Sequence, residues 1–134
     1  MSYGLSLYKF EGGAPVEPEM QKVRAILSPY YAAPEKVTGP DSEFWIRAAD
    51  GSEVEVDVSG CVIGIERPEV GKVWEIIIEL ADRVSGTVFL PSGTFLCRED
   101  VRAQLPEGME SDSVFVQEIT LEAFESVAGH STRR

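Results

Sequence analysis

Carboxylates are the residues in this chain best supplied for chemistry: Asp and Glu number 23 against 12 Lys and Arg, a formal net charge of -11. Two of them, Glu43 and Asp57, fall opposite each other once the surrounding strands are aligned. Like charges so placed can raise one another's pKa, as an acid/base pair or the start of a divalent-cation site would require. A flat strand face supplies converging oxygen ligands poorly, and a solvated sheet face explains the same alternation of charge. A second acidic region, Glu99 to Glu125, holds Glu99, Asp100, Glu107, Glu110, Asp112, Glu118, Glu122 and Glu125 against one base, Arg102. Helix N-termini account for Glu99, Asp100 and Glu122. The loop group Glu107, Glu110 and Asp112 has no such local reason and is either solvated or part of a docking surface.

Other chemistry finds little support. The only histidine, His130, falls in the expected C-terminal tail, which removes the commonest general base and metal ligand from the core. Ser92, in Pro91-Ser92-Gly93-Thr94, has no base beside it in the sequence and reads as a turn residue. Cys61 and Cys97 are both expected inside strands, as buried thiols, with no CxxC spacing and no Cys/His group for zinc. Nucleotide-binding glycine motifs and the G-x-S-x-G nucleophile elbow are missing. No catalytic residue, metal or cofactor is therefore expected, and the chain reads as a non-enzyme.

The carboxylates must be positioned by the stretch from Ser42 to Glu66. Alternation sets Phe44, Ile46 and Ala48 on one face and Glu43, Trp45 and Arg47 on the other; Val54, Val56 and Val58 alternate with Glu53, Glu55 and Asp57. A two-residue Asp50-Gly51 turn would split the apolar set. A three-residue loop, Ala49-Asp50-Gly51, pairs Ile46 with Val54 and Phe44 with Val56, and puts Gly51 where a left-handed residue closes the hairpin. A short Ser59-Gly60 turn then pairs Val58 with Cys61, Val56 with Ile63 and Val54 with Ile65. The three-stranded meander presents one apolar face and one face carrying Glu43, Trp45, Arg47, Glu53, Glu55, Asp57, Val62, Gly64 and Glu66. That second face is either solvated or a binding face with an aromatic anchor ringed by carboxylates.

The remaining elements follow in order. Tyr3 to Phe10 is the opening strand, with Tyr3, Leu5 and Leu7 on one side, followed by a Gly/Pro loop from Glu11 to Val16. A helix starts near Pro18 with Met20, Val23, Ile26 and Leu27 as its stripe and ends at Pro29; Tyr30 to Pro40 is a loop. Pro68 and Glu69 open a second helix with Val73, Ile76, Ile77, Leu80, Ala81 and Val84 facing inward and Gly86 at C′. A strand through Trp74, Ile76, Ile78 and Leu80 is the rival reading, set aside on length. Thr87 to Cys97 is a hairpin about Leu90-Pro91-Ser92-Gly93. A short helix spans Glu99 to Gln104, a strand Ser113 to Gln117, and a last helix is capped by Thr120, carries Leu121, Phe124 and Val127, and ends at Gly129. The expected fold is α+β: a largely antiparallel sheet around the meander, packed on three to four helices, one domain over 1–129 with a tail at 130–134.

Length and a 43% hydrophobic content allow one packed core. The acidity argues against nucleic acid or an anionic membrane as direct partner and favours a basic protein. No stretch reads as a membrane span or secretory leader, so a cytoplasmic location is expected.

The strand YGLSLY, the acidic meander, GTVFLPSG with its short helix ending QLP, and the final strand and helix form a layout that resembles small acidic immunity proteins of bacterial toxin systems. The resemblance is one of layout, over most of the chain, without a diagnostic motif. It implies a cytoplasmic, non-enzymatic protein that blocks a basic toxin, often a nuclease. The candidate partner-binding residues are Trp45, Glu43, Glu53, Glu55 and Asp57, with Glu107, Glu110 and Asp112. Two alternatives remain open: a small-ligand or divalent-cation-binding enzyme using surface carboxylates, and a structural homo-oligomer subunit. The oligomeric state is not legible.

Overall fold

A computed structural model describes residues 4–32 and 43–129. Tyr3, most of the 30–40 loop and His130 lie outside them. The described elements are strands β1 (Gly4–Glu11), β2 (Ala14–Val16), β3 (Glu43–Arg47), β4 (Glu53–Ser59), β5 (Val62–Glu66), β6 (Thr87–Phe89), β7 (Phe95–Arg98) and β8 (Ser113–Val116), with helices α1 (Met20–Leu27), α2 (Val73–Arg83) and α3 (Leu121–Ala128). Short 3-10 segments span Ser28–Tyr30, Glu99–Gln104 and Met109–Asp112. The fold is α+β, as expected. One sheet runs β3-β4-β5-β1-β6-β7-β8, with β2 folded back on the far end of β1. Pairing is antiparallel except between β7 and β8.

The sheet has one dry face. Leu5, Leu7, Phe44, Ile46, Val54, Val56, Val58, Ile63, Ile65, Val88 and Leu96 point inward and join Val23, Ile26 and Leu27 of α1, most of α2, and Phe124 of α3 in one cluster. Helix α2 is central: Val73, Trp74, Ile76, Ile77, Ile78, Leu80 and Ala81 are all buried, and Trp74 packs on Phe124 with ring centroids 4.9 Å apart. A helix buried on so much of its circumference blurs its own periodicity, which is why a strand competes in the sequence.

The first hairpin of the meander has the expected register. Ile46 faces Val54 and Phe44 faces Val56, Ala48 and Ser52 close the loop, and Gly51 sits at φ +88°. The second turn differs. Val58 pairs with Ile63, Val56 with Ile65, and Ser59 with Val62, so the two loop residues are Gly60 and Cys61. Gly60 is the first of them, at φ +59°; a positive φ at the first loop position alone is the demand of a II′ turn, which glycine there meets. The slip is two residues, so the apolar face survives, but Cys61 leaves it for a half-exposed turn. Cys97 is buried in β7, and both thiols are free.

Other boundaries also move. Gly12 and Gly13 turn the chain with positive φ, so the expected loop contains β2, paired with β1 through Phe10 and Pro15. Helix α2 begins at Val73, not Pro68. The Glu69 N–H donates to the Glu53 carbonyl (3.0 Å) and the Glu53 N–H donates to Glu69 Oε1 (2.7 Å), which holds that segment against β4. The α2 N-terminus is capped by the β3–β4 loop instead: the Lys72 N–H donates to Asp50 Oδ2 (3.0 Å) and the Val73 N–H to Ser52 Oγ (3.0 Å). At the other end Ser85, not Gly86, is left-handed (φ 52°). The Gly86 N–H donates to the Ala81 carbonyl and the Ser85 N–H to that of Asp82, the paired bonds of a Schellman end. Helix α3 begins and ends as expected, with Thr120 Oγ1 accepting from the Ala123 N–H and Gly129 at φ 64°.

Candidate functional site: the open sheet face

All three α-helices pack on the dry face, which leaves the other face of β3, β4 and β5 uncovered by any described helix. Strand pairing fixes its pattern. Across one row Arg47 faces Glu53. In the next, Trp45 faces Glu55, and Glu55 faces Glu66. In the third, Glu43 faces Asp57, and Asp57 faces Gly64. Glu43 and Glu66 are exposed; Trp45, Glu53, Glu55 and Asp57 are half-buried. Arg47 and Glu53 form an ion pair (Nη2 to Oε2, 2.6 Å).

Two directly opposed like-charge pairs, Glu43/Asp57 and Glu55/Glu66, therefore share one small surface, an arrangement that opposes folding. Glu55 is the focus. Burial first, then the charges of Glu43, Glu66 and Asp57, push its pKa upward, against a lowering contribution from Arg67. The same neighbouring charges that raise the Glu55 pKa make the surface attractive to a cation. Among the described residues no group of three or more His, Cys, Asp and Glu side chains is arranged to hold a metal ion.

The second acidic region stands apart. Glu107, Glu110 and Asp112, all exposed, lie between the Glu99–Gln104 segment and β8. The sheet order puts β3 and β8 at opposite edges, six strand spacings or about 29 Å apart. The two sets of candidate residues thus do not converge on one patch. Glu110 also has a structural role that the sequence hid: it pairs with Arg102, which binds Glu99 through Nε (2.8 Å) and Nη2 (2.9 Å) and lies over the Phe115 ring at 3.8 Å. Arg102 neutralises part of that region and pins the 3-10 segment to β8.

Neither a family model, nor a curated protein, nor a solved structure matches this chain.

The geometry of the site includes residues which sequence reasoning did not select. Tyr8 and Phe10 alternate with Leu7 and so point to the open face, with rings 5.9 Å apart. Phe89 and Phe95 are cross-strand partners on the same face, stacked at 4.9 Å, and Phe89 is 37% exposed. The alternation in the opening strand already separates Tyr8 and Phe10 from Leu5 and Leu7; what it lacks is the knowledge that β1 lies between β5 and β6. The Glu99–Gln104 segment crosses one end of this face. It buries the outward Thr87 and Cys97, and its Gln104 accepts from the Gly12 and Gly13 N–H groups. A cavity of ≈ 330 Å³ lined by Lys9, Phe10, Glu11, Ser85, Val101 and Gln104 lies at that covered end. Burial raises the Cys97 thiol pKa to about 11, despite a hydrogen bond with Thr87, so it stays protonated and inert at neutral pH.

Proposed function

We propose that this protein is an acidic protein-binding module of immunity or inhibitor type, which covers a basic surface of its partner with the open sheet face around Trp45. A toxin nuclease is the partner class that the resemblance suggests. The observation that carries this reading is the pair of opposed carboxylate couples beside a half-buried tryptophan, on a face that no described helix covers. Repulsion within Glu43/Asp57 and Glu55/Glu66 is a cost to the free protein that a cationic partner relieves. Carboxylates steer such a partner and set the on-rate, while the indole supplies a desolvated anchor.

The test is a pull-down at low salt from the protein's own source, with wild type beside Trp45→Ala and Glu55→Lys. Circular dichroism first establishes that both variants keep the fold. The expected result is a basic protein held by wild type and lost from both variants. Once that partner is purified, Trp45→Ala should weaken binding by about 2 kcal/mol, or roughly 30-fold, and the association rate should fall steeply with added salt. Equal capture of the partner by all three proteins would move the site away from Trp45.

A further inference from the structure

The open face continues past the meander. In its third row the pairing runs Glu43, Asp57, Gly64, Ser6, Phe89, Phe95 across six strands. Charge stands at one end and aromatic rings at the other, and between them lie Gly64 of β5 and Ser6 of β1, with Gly4 one row further along β1. Two glycines and a serine in place of larger side chains make a shallow trough along β5 and β1. Glu55 and Asp57 of β4 form one wall, and Glu66 of β5 leans beside it, its Oε1 3.7 Å from where a Gly64 Cβ would stand. Phe89 of β6 and Phe95 of β7 form the other. Val62 and Tyr8, paired across β5 and β1, close one end.

Gly64 is not demanded by the fold. Its φ is ordinary, and a Cβ there would meet only van der Waals neighbours, the Asp57 carbonyl at 3.6 Å and Glu66 Oε1 at 3.7 Å. Glycine inside a strand weakens it, and it recurs where another chain approaches closely. The walls, on β4 and β6, are three strand spacings or about 14 Å apart, and an α-helix with its side chains is about 10–12 Å across. The strands under the trough already spend their backbone N–H and C=O groups on the ladders, so an extended peptide gains no main-chain bonds there, whereas a helix brings its own satisfied.

We propose that the trough seats a basic amphipathic helix of the partner, laid along β5 and β1, with arginines against Glu55, Asp57 and Glu66 and an apolar flank on Phe89 and Phe95. This rests on the acidic-face reading and specifies what that face receives. Charge complementarity chooses the basic flank; the phenylalanine wall chooses the apolar one.

The probe is a synthetic 18-residue helix with arginines along one flank, leucines along the other and alanine and glutamine on its back. It is titrated into the full-length protein by fluorescence anisotropy and by amide NMR shifts. A scrambled peptide of the same composition is the control. Binding by wild type is expected, with shifts at Ser6, Asp57, Gly64 and Phe89 and at least tenfold weaker binding of the scrambled peptide. Gly64→Val fills the floor with a strand-favouring side chain; it should weaken binding at least tenfold while the melting temperature holds or rises. Phe89→Ser removes the nearer ring of the far wall without touching the core and should weaken binding severalfold. No binding by wild type, or equal binding of the scrambled peptide, overturns the helix seat. Loss confined to Glu55→Lys and Trp45→Ala, with Gly64→Val and Phe89→Ser binding normally, also overturns it and leaves the acidic-face reading standing.

Discussion

Replacing Ser52 with alanine should cost far more than a serine in a hairpin loop normally would. Ser52 is fully buried. Its Oγ accepts the Val73 N–H (3.0 Å) and donates to Asp50 Oδ1 (2.5 Å), while Asp50 Oδ2 takes the Lys72 N–H. Helix α2 has no side-chain cap of its own, so the loop is its N-cap, from 21 residues away. Losing a cap costs about 1 kcal/mol. Leaving the buried Val73 N–H without an acceptor adds roughly 1–2 kcal/mol. The sum, about 2–3 kcal/mol, corresponds to a fall in melting temperature of roughly 7–10 °C for a domain of this size. The assay is urea and thermal unfolding followed by circular dichroism and by tryptophan fluorescence, with Ser59→Ala, exposed at the end of β4, as a control expected to stay within about 0.5 kcal/mol. Gly71→Ala should fail for the same reason: φ is +143°, and the new Cβ would lie 2.6 Å from Asp50 Oδ2 and 2.7 Å from Ser52 Oγ. Because both changes break one cap, their costs should be subadditive. A loss below 0.5 kcal/mol for Ser52→Ala, or full additivity with Gly71→Ala, would refute the idea that this loop caps α2.

Glu55→Gln should stabilise the protein at neutral pH by roughly 0.5 kcal/mol, by removing one member of the Glu55/Glu66 pair. The folded-state pKa of Glu55 lies above its unfolded value, so the native state binds the proton more readily, and the penalty from the charged group is complete above the folded pKa and gone below the unfolded one. The gain from Glu55→Gln should thus shrink as pH falls through that window and vanish below the ordinary carboxylate value of 4.5; a gain that persisted to pH 3 would contradict the assignment. A thiol reagent at neutral pH should label Cys61 in the native protein and Cys97 only after unfolding; rapid labelling of both would refute the burial of Cys97 beneath the 3-10 segment. Arg102→Ala should expose that segment, with loss of the Phe115 contact and of two carboxylate partners, and speed Cys97 labelling at least severalfold, read as the rate of modification in native buffer.

Much of the meander is legible because two constraints meet at its first turn: alternation fixes faces, and Gly51 fixes which loop residue takes a positive φ. At Ser59-Gly60 alternation alone sets the pairing, so the face is right while the register is two residues off, taking Cys61 into a strand it does not occupy. Helix starts read from local proline failed at Pro68 because the groups that cap α2 come from Asp50 and Ser52, and no local rule sees a partner 21 residues away. The last helix is legible for the converse reason: Thr120 and Gly129 specify its ends within one stretch. The place of β1 in the centre of the sheet is non-local, and with it the meeting of Tyr8 with Val62 and of Ser6 with Phe89. The carboxylates around Trp45 were therefore visible in the sequence while the aromatic wall beside them was not. Glu110 looks unexplained in the sequence because its partner Arg102 lies on the preceding 3-10 segment, held over the Phe115 ring of β8.

The two tryptophans show what the architecture does with its apolar surface. Trp74, on the central helix, has no exposure and packs on Phe124; Trp45, on the edge strand of the meander, lies half-buried on the face opposite the helices. An α+β layer with its helices on one side leaves the other side of its sheet to water or to a partner. Here part of that side is closed by the Glu99–Gln104 segment, and the remainder keeps features that make a poorer free fold: opposed carboxylates, a strand-interior glycine, exposed phenylalanine. Substitutions on this face and in the α2 cap should accordingly fall into opposite classes. Glu55→Gln and Gly64→Val improve or spare stability and weaken binding, whereas Ser52→Ala damages stability and, at temperatures where the protein remains folded, leaves binding unchanged. A face selected only for solubility would not separate the two in this way, because relieving its repulsion would carry no cost elsewhere.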